Sequence, residues 1–225
     1  MAPGAAFFDL DRTLIRRSSA LALAGSFRRH GVIGRRQLAK AAVMQLLFVV
    51  RGADEEAVRK ASEEGPALLR GFPAARLRGL VGTALEPTLR PLVYPEALEL
   101  ARRHQALGER VYVVSSTLQE IVDALAADLG LDGALGLVCE EADGLYTGRA
   151  VRTCHGSGKA DAVRELAARE GIDLARSTAY SDSASDLPLL ETVGSPVAVN
   201  PDRKLRRVAD ERGWPVRVFG DGRAA

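Results

Sequence analysis

At 225 residues the chain has room for one good-sized domain, or for a domain carrying a smaller insert. Hydrophobic residues at 47% supply ample core, and charged residues at 27% an ordinary polar surface. A net charge of +2 and an aromatic content of 5% exclude both an electrostatic footprint for nucleic acid and a platform for stacking bases, so no nucleic-acid partner is expected.

Residues 1–4 hold no basic region followed by an apolar core, so no signal peptide is read and a cytoplasmic setting is expected. Residues 5–8, Ala-Ala-Phe-Phe, are apolar on both faces, the pattern of a strand in the buried centre of a parallel sheet. Asp9 and Asp11 follow on one face, because side chains alternate with period two. Ligands of such sheets sit beyond the carboxyl ends of the strands, which puts both aspartates at the mouth of a site. Two carboxylates this close repel by about 4 kcal/mol at ~4 Å and an effective dielectric of about 20, a cost that a cation or a shared proton offsets.

From there to about residue 91 the pattern is helical, with no convincing strand. Ser18 or Ser19 can cap a helix carrying Leu21, Leu23, Ala24 and Phe27. A second helix is expected over residues 35–50, a third from Asp54 to the Gly65-Pro66 break, and a fourth over 73–85. The apolar run 41–50 contains Gln45 and is too short to cross a bilayer, so no integral membrane segment is expected. It reads as helical core of the insert, or as a border to an apolar pocket or a lipid surface.

Alternation of strand and helix begins at Pro95. A helix is expected over 96–107 and a strand over 110–114. The Thr117–Glu120 capping-box spacing then opens a helix. A short strand over 135–138 precedes Asp143-Gly144, a hairpin signal. Gly156-Ser157-Gly158-Lys159 leads into a helix over 160–169. A strand over 178–182 ends in an acid, a helix covers 187–193, and strands are expected at 196–199 and 216–219 before a frayed tail at 221–225. This order defines an α/β fold with a mostly parallel sheet, its first strand separated from the rest by an all-helical insert. Cys139 and Cys154 show neither metal-ligand spacing nor a disulfide framework.

Four strand or loop ends carry polar groups that can converge: Asp9 with Asp11, Ser115 at a helix start, Lys159 in its Gly-rich turn, and Asp182 with Asp186. Each has an innocent explanation as a cap or turn residue. Phosphoryl transfer explains them jointly. Asp9 is the expected nucleophile, and Asp11 the acid that protonates the leaving oxygen and then activates water. Asp182 is suited to hold Mg²⁺, a hard cation that takes oxygen ligands. Ser115 and nearby backbone N–H groups are suited to phosphoryl oxygens, and Lys159 to developing charge.

Asp9-x-Asp11-x-Thr13, Ser115 after a hydrophobic strand, Lys159 and Ser181-Asp182-x-x-x-Asp186 resemble the four ordered motifs of the haloacid-dehalogenase superfamily of phosphohydrolases. The helical insert resembles the C1 cap of its phosphoserine-phosphatase-like subclass IB. The resemblance implies a Rossmann-like core formed by residues 1–15 and 92–225, with a cap over 16–91. It implies strict Mg²⁺ use, with Asp9, Asp11 (through its backbone carbonyl), Asp182 and Asp186 at the metal and Thr13, Ser115, Ser116 and Lys159 at the phosphate. The expected partner is a small-molecule phosphomonoester.

Some positions depart from that pattern. Arg12 stands where small residues are common, and either adds positive charge to the site mouth or points to solvent. Ser116 and Thr117 replace the two glycines that phosphoserine phosphatases usually carry after the serine, and Ser18 stands where they hold an acid for the substrate ammonium. L-Phosphoserine is therefore not expected to be the preferred substrate. The alternatives are a phosphoserine phosphatase proper, or a weakly active relative that binds a phosphorylated ligand or regulates a partner.

Overall fold

The structure is a computed structural model that describes residues 2–32 and 65–220. The helices expected over 35–50 and from Asp54, the apolar run 41–50 and the tail at 221–225 lie outside the described residues.

Among the described residues seven strands form one sheet. They are β1 (Ala5–Asp9), β2 (Arg110–Leu118), β3 (Gly133–Ala142), β4 (Leu145–Arg152), β5 (Thr178–Ser181), β6 (Ser195–Val199) and β7 (Val216–Arg217), in the order β4-β3-β2-β1-β5-β6-β7. Every neighbouring pair is parallel except the β3–β4 hairpin. Among the described residues seven α-helices accompany them: α1 (Ser19–Arg29), α2 (Ala74–Thr88), α3 (Pro95–Ala106), α4 (Gln119–Leu129), α5 (Ser157–Glu170), α6 (Leu187–Leu190) and α7 (Arg203–Arg212). The fold is the expected α/β, Rossmann-like arrangement.

β1 is central and buried over its whole length, which is why its sequence is apolar on both faces. Ala6 and Phe8 enter one core layer with Leu23, Leu77, Ala97 and Ile121, from α1, α2, α3 and α4. Ala5 and Phe7 enter the opposite layer with Val163, Leu189 and Leu205, from α5, α6 and α7. The two described helices of the insert, α1 and α2, thus share apolar core with helices that cover the sheet.

Register sets the site. Asp9 pairs with Val114, and Phe8 with both Val113 and Tyr180, so the ends of β1 and β5 lie beside Val114 of β2. Ser115, Asp9 and Asp182 follow directly from that alignment. The hairpin also forms as expected: Asp143 and Gly144 both take positive φ, 50° and 75°, as a two-residue turn with right-handed strand twist requires.

Several local expectations change, among them the helix over 187–193, which ends at Leu190, and the strand over 216–219, which ends at Arg217. β2 does not stop at Val114 but runs to Leu118, with its register against β3 shifting between those residues. The capping box is consequently not made: Thr117 lies within the strand, α4 begins at Gln119, and Glu120 accepts the Tyr146 hydroxyl instead. Neither serine side chain caps α1. Its first turn is capped from a distance by Asp11, whose Oδ1 accepts the Ser19 backbone N–H at 2.9 Å. Finally, α7 has no counterpart in the expected elements. Its sequence, RKLRRVADER, is nearly all polar and buries only Leu205 and Ala209, one narrow stripe.

Candidate active site

Lys159 organises the site. Gly158 lets α5 start close against the preceding chain, since a Cβ there would stand 2.8 Å from the Thr153 carbonyl oxygen. Lys159 follows in the first turn and is buried, with Nζ 2.6 Å from Asp9 Oδ1 and 2.7 Å from Asp186 Oδ2. Asp186 Oδ2 also accepts the Ser181 hydroxyl at 2.6 Å. A continuous chain Asp9–Lys159–Asp186–Ser181 therefore joins the ends of β1 and β5. Burial by itself favours the neutral amine, but Asp186 and Asp9 outweigh it and hold the ammonium well above the usual lysine range.

The carboxylates respond in the opposite sense. Burial, with Asp186 and Asp11 adding negative charge, pushes Asp9 up to about 7 despite the adjacent Lys159. Burial and the charges of Asp9 and Asp186 push Asp182 up to about 8, with Arg12 and Lys159 opposing. Asp11 is also raised, chiefly by burial, against the Ser19 backbone N–H and the Ser19 and Ser18 hydroxyls that favour its anion. This is a cluster with too much negative charge for its one buried ammonium.

Arg12 supplies part of the remainder. Its backbone takes φ 64°, rare for a residue with a side chain, and its half-exposed guanidinium stands 3.7 Å from Asp182 Oδ2. Both earlier possibilities thus hold at once: the side chain reaches solvent and adds positive charge at the mouth.

Thr13 is fully buried, and its hydroxyl has no hydrogen-bond partner among the described residues. Ser115 is buried, its Oγ accepting the Thr117 backbone N–H at 3.2 Å. Ser116 is exposed, with its hydroxyl 3.5 Å from His155 Nδ1, so the two serines do not share a setting. The fold brings together Asp9, Lys159, Asp182 and Asp186, with Asp11 turned toward the start of α1.

Among the described residues no three acidic, His or Cys side chains stand as a ready-made metal-ligand group. The donor chemistry nonetheless fits a hard cation. Asp9 and Asp182 offer oxygen only, both are buried, and Asp9 raises the proton affinity of Asp182, an electrostatic strain that a divalent ion relieves as a proton does. Asp186 fits less directly, since one of its oxygens already serves Lys159 and Ser181.

Sequence reasoning missed Ser19, Asn200 and Asp202. Ser19 bonds Asp11 and its hydroxyl lies 3.4 Å from Thr117 Oγ1. Asn200 donates to the Arg12 carbonyl, and Asp202 accepts the Ala184 backbone N–H and the Ser183 hydroxyl. Only Asp202 left a signal, an N-cap residue three before Leu205 and followed ten residues later by Arg212-Gly213.

A mostly parallel sheet thus gathers buried aspartates and a serine at adjoining strand ends, with the lysine of α5 between two of the acids. The comparisons supply the family: residues 6–191 match haloacid dehalogenase-like hydrolase, and the chain belongs to it. A probable phosphatase of Mycobacterium tuberculosis is 43% identical over 96% of this chain and 75% of its own. A phosphoserine phosphatase of the same organism is 41% identical over 98% of this chain and 72% of its own. Among solved structures, a Bordetella pertussis protein of unknown function superposes with TM-score 0.82 at 28% identity, covering 96% of this chain and 99% of that one. A phospho-aspartyl intermediate analogue of phosphoserine phosphatase, at 20% identity and TM-score 0.66 over 97% and 94%, shares the fold. The protein is a phosphoric monoester hydrolase of this family.

Proposed function

We propose that the protein is a Mg²⁺-dependent phosphomonoesterase that acts on a small phosphorylated metabolite through an aspartyl-phosphate formed on Asp9. The observation that carries the reading is the buried Lys159 ammonium held between Asp9 and Asp186, with Asp182 beside them. A buried carboxylate with an ammonium at 2.6 Å is fixed in orientation and remains accessible to its anion near neutral pH.

In this reading an Asp9 oxygen attacks phosphorus, the ester P–O bond breaks, and Asp11 gives its proton to the departing alkoxide. The raised proton affinity of Asp11 suits it to that task, and the Ser19 N–H fixes its carboxyl against α1. Asp11, now ionised, then takes a proton from the water that attacks the acyl phosphate; the Asp9–phosphorus bond breaks and inorganic phosphate leaves. Lys159 neutralises charge as it gathers on the phosphoryl oxygens, which Thr13, Ser115 and Ser116 receive by hydrogen bonds. Bound Mg²⁺ supplies a Lewis acid that draws phosphoryl charge and offsets carboxylate repulsion. Asp9, Asp182 and the Asp11 carbonyl would hold it, with Asp186 in support.

In this reading residues 16–91 are the cap and 1–15 with 92–225 the core, and the cap sets the substrate. Ser18 in place of an acid argues against an amino-acid phosphate, because an ammonium desolvated without a partner costs several kcal/mol, roughly. The second reading, a phosphoserine phosphatase proper, draws on the relative of that name at 41% identity. No described helix is long and apolar enough to cross a membrane. The test is phosphate release over a panel of phosphomonoesters with Mg²⁺ and with excess EDTA, for the wild type and Asp9→Asn. Turnover that needs both Mg²⁺ and Asp9 supports the reading; turnover in EDTA, or by the variant at a tenth or more of the wild-type rate, about 1.4 kcal/mol of barrier, refutes it. The absence of turnover on every ester would favour a purely binding relative.

A further inference from the structure

Asp202 stands immediately before α7, and its two carboxylate oxygens serve different segments. Oδ1 accepts the Leu205 backbone N–H at 2.7 Å, an ordinary N-cap. Oδ2 turns the other way, accepting the Ala184 backbone N–H at 2.9 Å and the Ser183 hydroxyl at 3.1 Å. The Asp202 backbone N–H donates in turn to the Asp182 carbonyl at 2.7 Å. One residue therefore grips residues 182–184 as donor and as acceptor, where the chain leaves β5.

The same turn also reaches the loop after β1. Asn200, at φ 44°, extends its side-chain amide to the Arg12 carbonyl at 3.4 Å and the Tyr94 hydroxyl at 3.3 Å, while its Oδ1 accepts the Phe219 N–H at 2.8 Å. Residues 200–202 thus touch both loops that carry the aspartates of the site.

We propose that Asp202 is a positioning residue of the phosphatase site, fixing the 182–184 backbone so that Asp182 stands opposite Asp9 ready for a divalent cation. The inference rests on the metal-dependent reading given above. Asp202 touches neither phosphate nor metal; it acts through Asp182. Outer hydrogen bonds of this kind tune metal affinity by holding a ligand carboxylate in place before the ion arrives.

A helix cap alone would explain part of the pattern, and one substitution separates the two roles. In Asp202→Ser the hydroxyl still caps α7 but cannot also reach Ala184 and Ser183. Mg²⁺ is titrated into substrate-free protein while its effect on the melting temperature is followed, and the Mg²⁺ dependence of phosphate release is measured alongside. The expected result is an apparent Mg²⁺ constant raised about tenfold or more in both measurements, with kcat at saturating Mg²⁺ within about threefold of wild type. Asp173→Ala, which removes a cap at the opposite end of β5, should leave the Mg²⁺ constant unchanged. Ser183→Ala, which deletes one of the Asp202 contacts, should move it in the same direction by less, and serves if Asp202→Ser does not fold. An unchanged Mg²⁺ constant in Asp202→Ser and Ser183→Ala, with a wild type that does respond to Mg²⁺, would overturn the positioning role alone. A wild type indifferent to Mg²⁺ would overturn the metal-dependent reading, and this inference with it.

Discussion

Lys159 Nζ lies 2.6 Å from Asp9 Oδ1, joining a side chain 150 positions later in the chain to the end of the first strand. The contact exists because β1 is central and α5 starts beside its carboxyl end, so one buried ammonium can meet carboxylates from β1 and from the loop after β5.

Removing that ammonium should cost stability before it costs anything else. Lys159→Met leaves Asp9 and Asp186 buried without their counter-charge, a change that typically costs about 3–5 kcal/mol. Urea unfolding near neutral pH should show a loss of that order. The loss should shrink under acidic conditions, where the two carboxyls can take up protons. A variant as stable as wild type at neutral pH would mean that the pair is not buried as described.

The metal-free protein should become less stable as pH rises through the range in which its site carboxylates ionise. Asp182 is raised from 3.8 to about 8 and Asp9 to about 7, so folding holds their protons where the unfolded chain releases them. The sign follows: no penalty below about pH 4, a growing one above it, and the full penalty above about pH 8. In EDTA, Asp182→Asn should melt at a temperature that falls less between about pH 5 and pH 8 than that of the wild type. Mg²⁺ should raise the wild-type melting temperature more at the upper end of that range than at the lower. Parallel curves for variant and wild type would contradict the assigned cause.

Much of the site was legible because its chemistry lies in short-range patterns. An apolar strand ending in Asp9 and Asp11, a β-branched strand ending in Ser115, and Asp182 after a third strand needed only period-two alternation and the rule that parallel sheets bind at their carboxyl ends. What escaped was long-range. Asp11 caps α1 from eight residues away, which no local capping rule could find with Ser18 and Ser19 both at hand. β2 continues to Leu118 because β3 pairs with it there, a tertiary contact that overrides the capping-box spacing. α7 was missed because only Leu205 and Ala209 mark its buried face, too few for a helical period to stand out.

Substrate choice provides a test that goes against the relative named phosphoserine phosphatase. The Ser18 hydroxyl faces Asp11, and Ser19 is buried, so the start of α1 presents hydroxyls where an ammonium would need an acid. Values of kcat/KM for L-phosphoserine beside sugar, nucleotide, glycerol and lysolipid phosphates should show no preference for L-phosphoserine. A preference of a hundredfold or more, about 2.7 kcal/mol of transition-state discrimination, would place another acid in the cap and refute the role given to Ser18.

The stereochemical course at phosphorus tests the covalent step on Asp9 most directly. With a phosphorothioate monoester made chiral at phosphorus by sulfur and two oxygen isotopes, and hydrolysed in water carrying the third, attack by Asp9 followed by attack of water inverts the centre twice. Net retention is expected in the released thiophosphate. Net inversion would mean that water attacks the ester in a single displacement, with Asp9 orienting it as a base, and would contradict the aspartyl-phosphate.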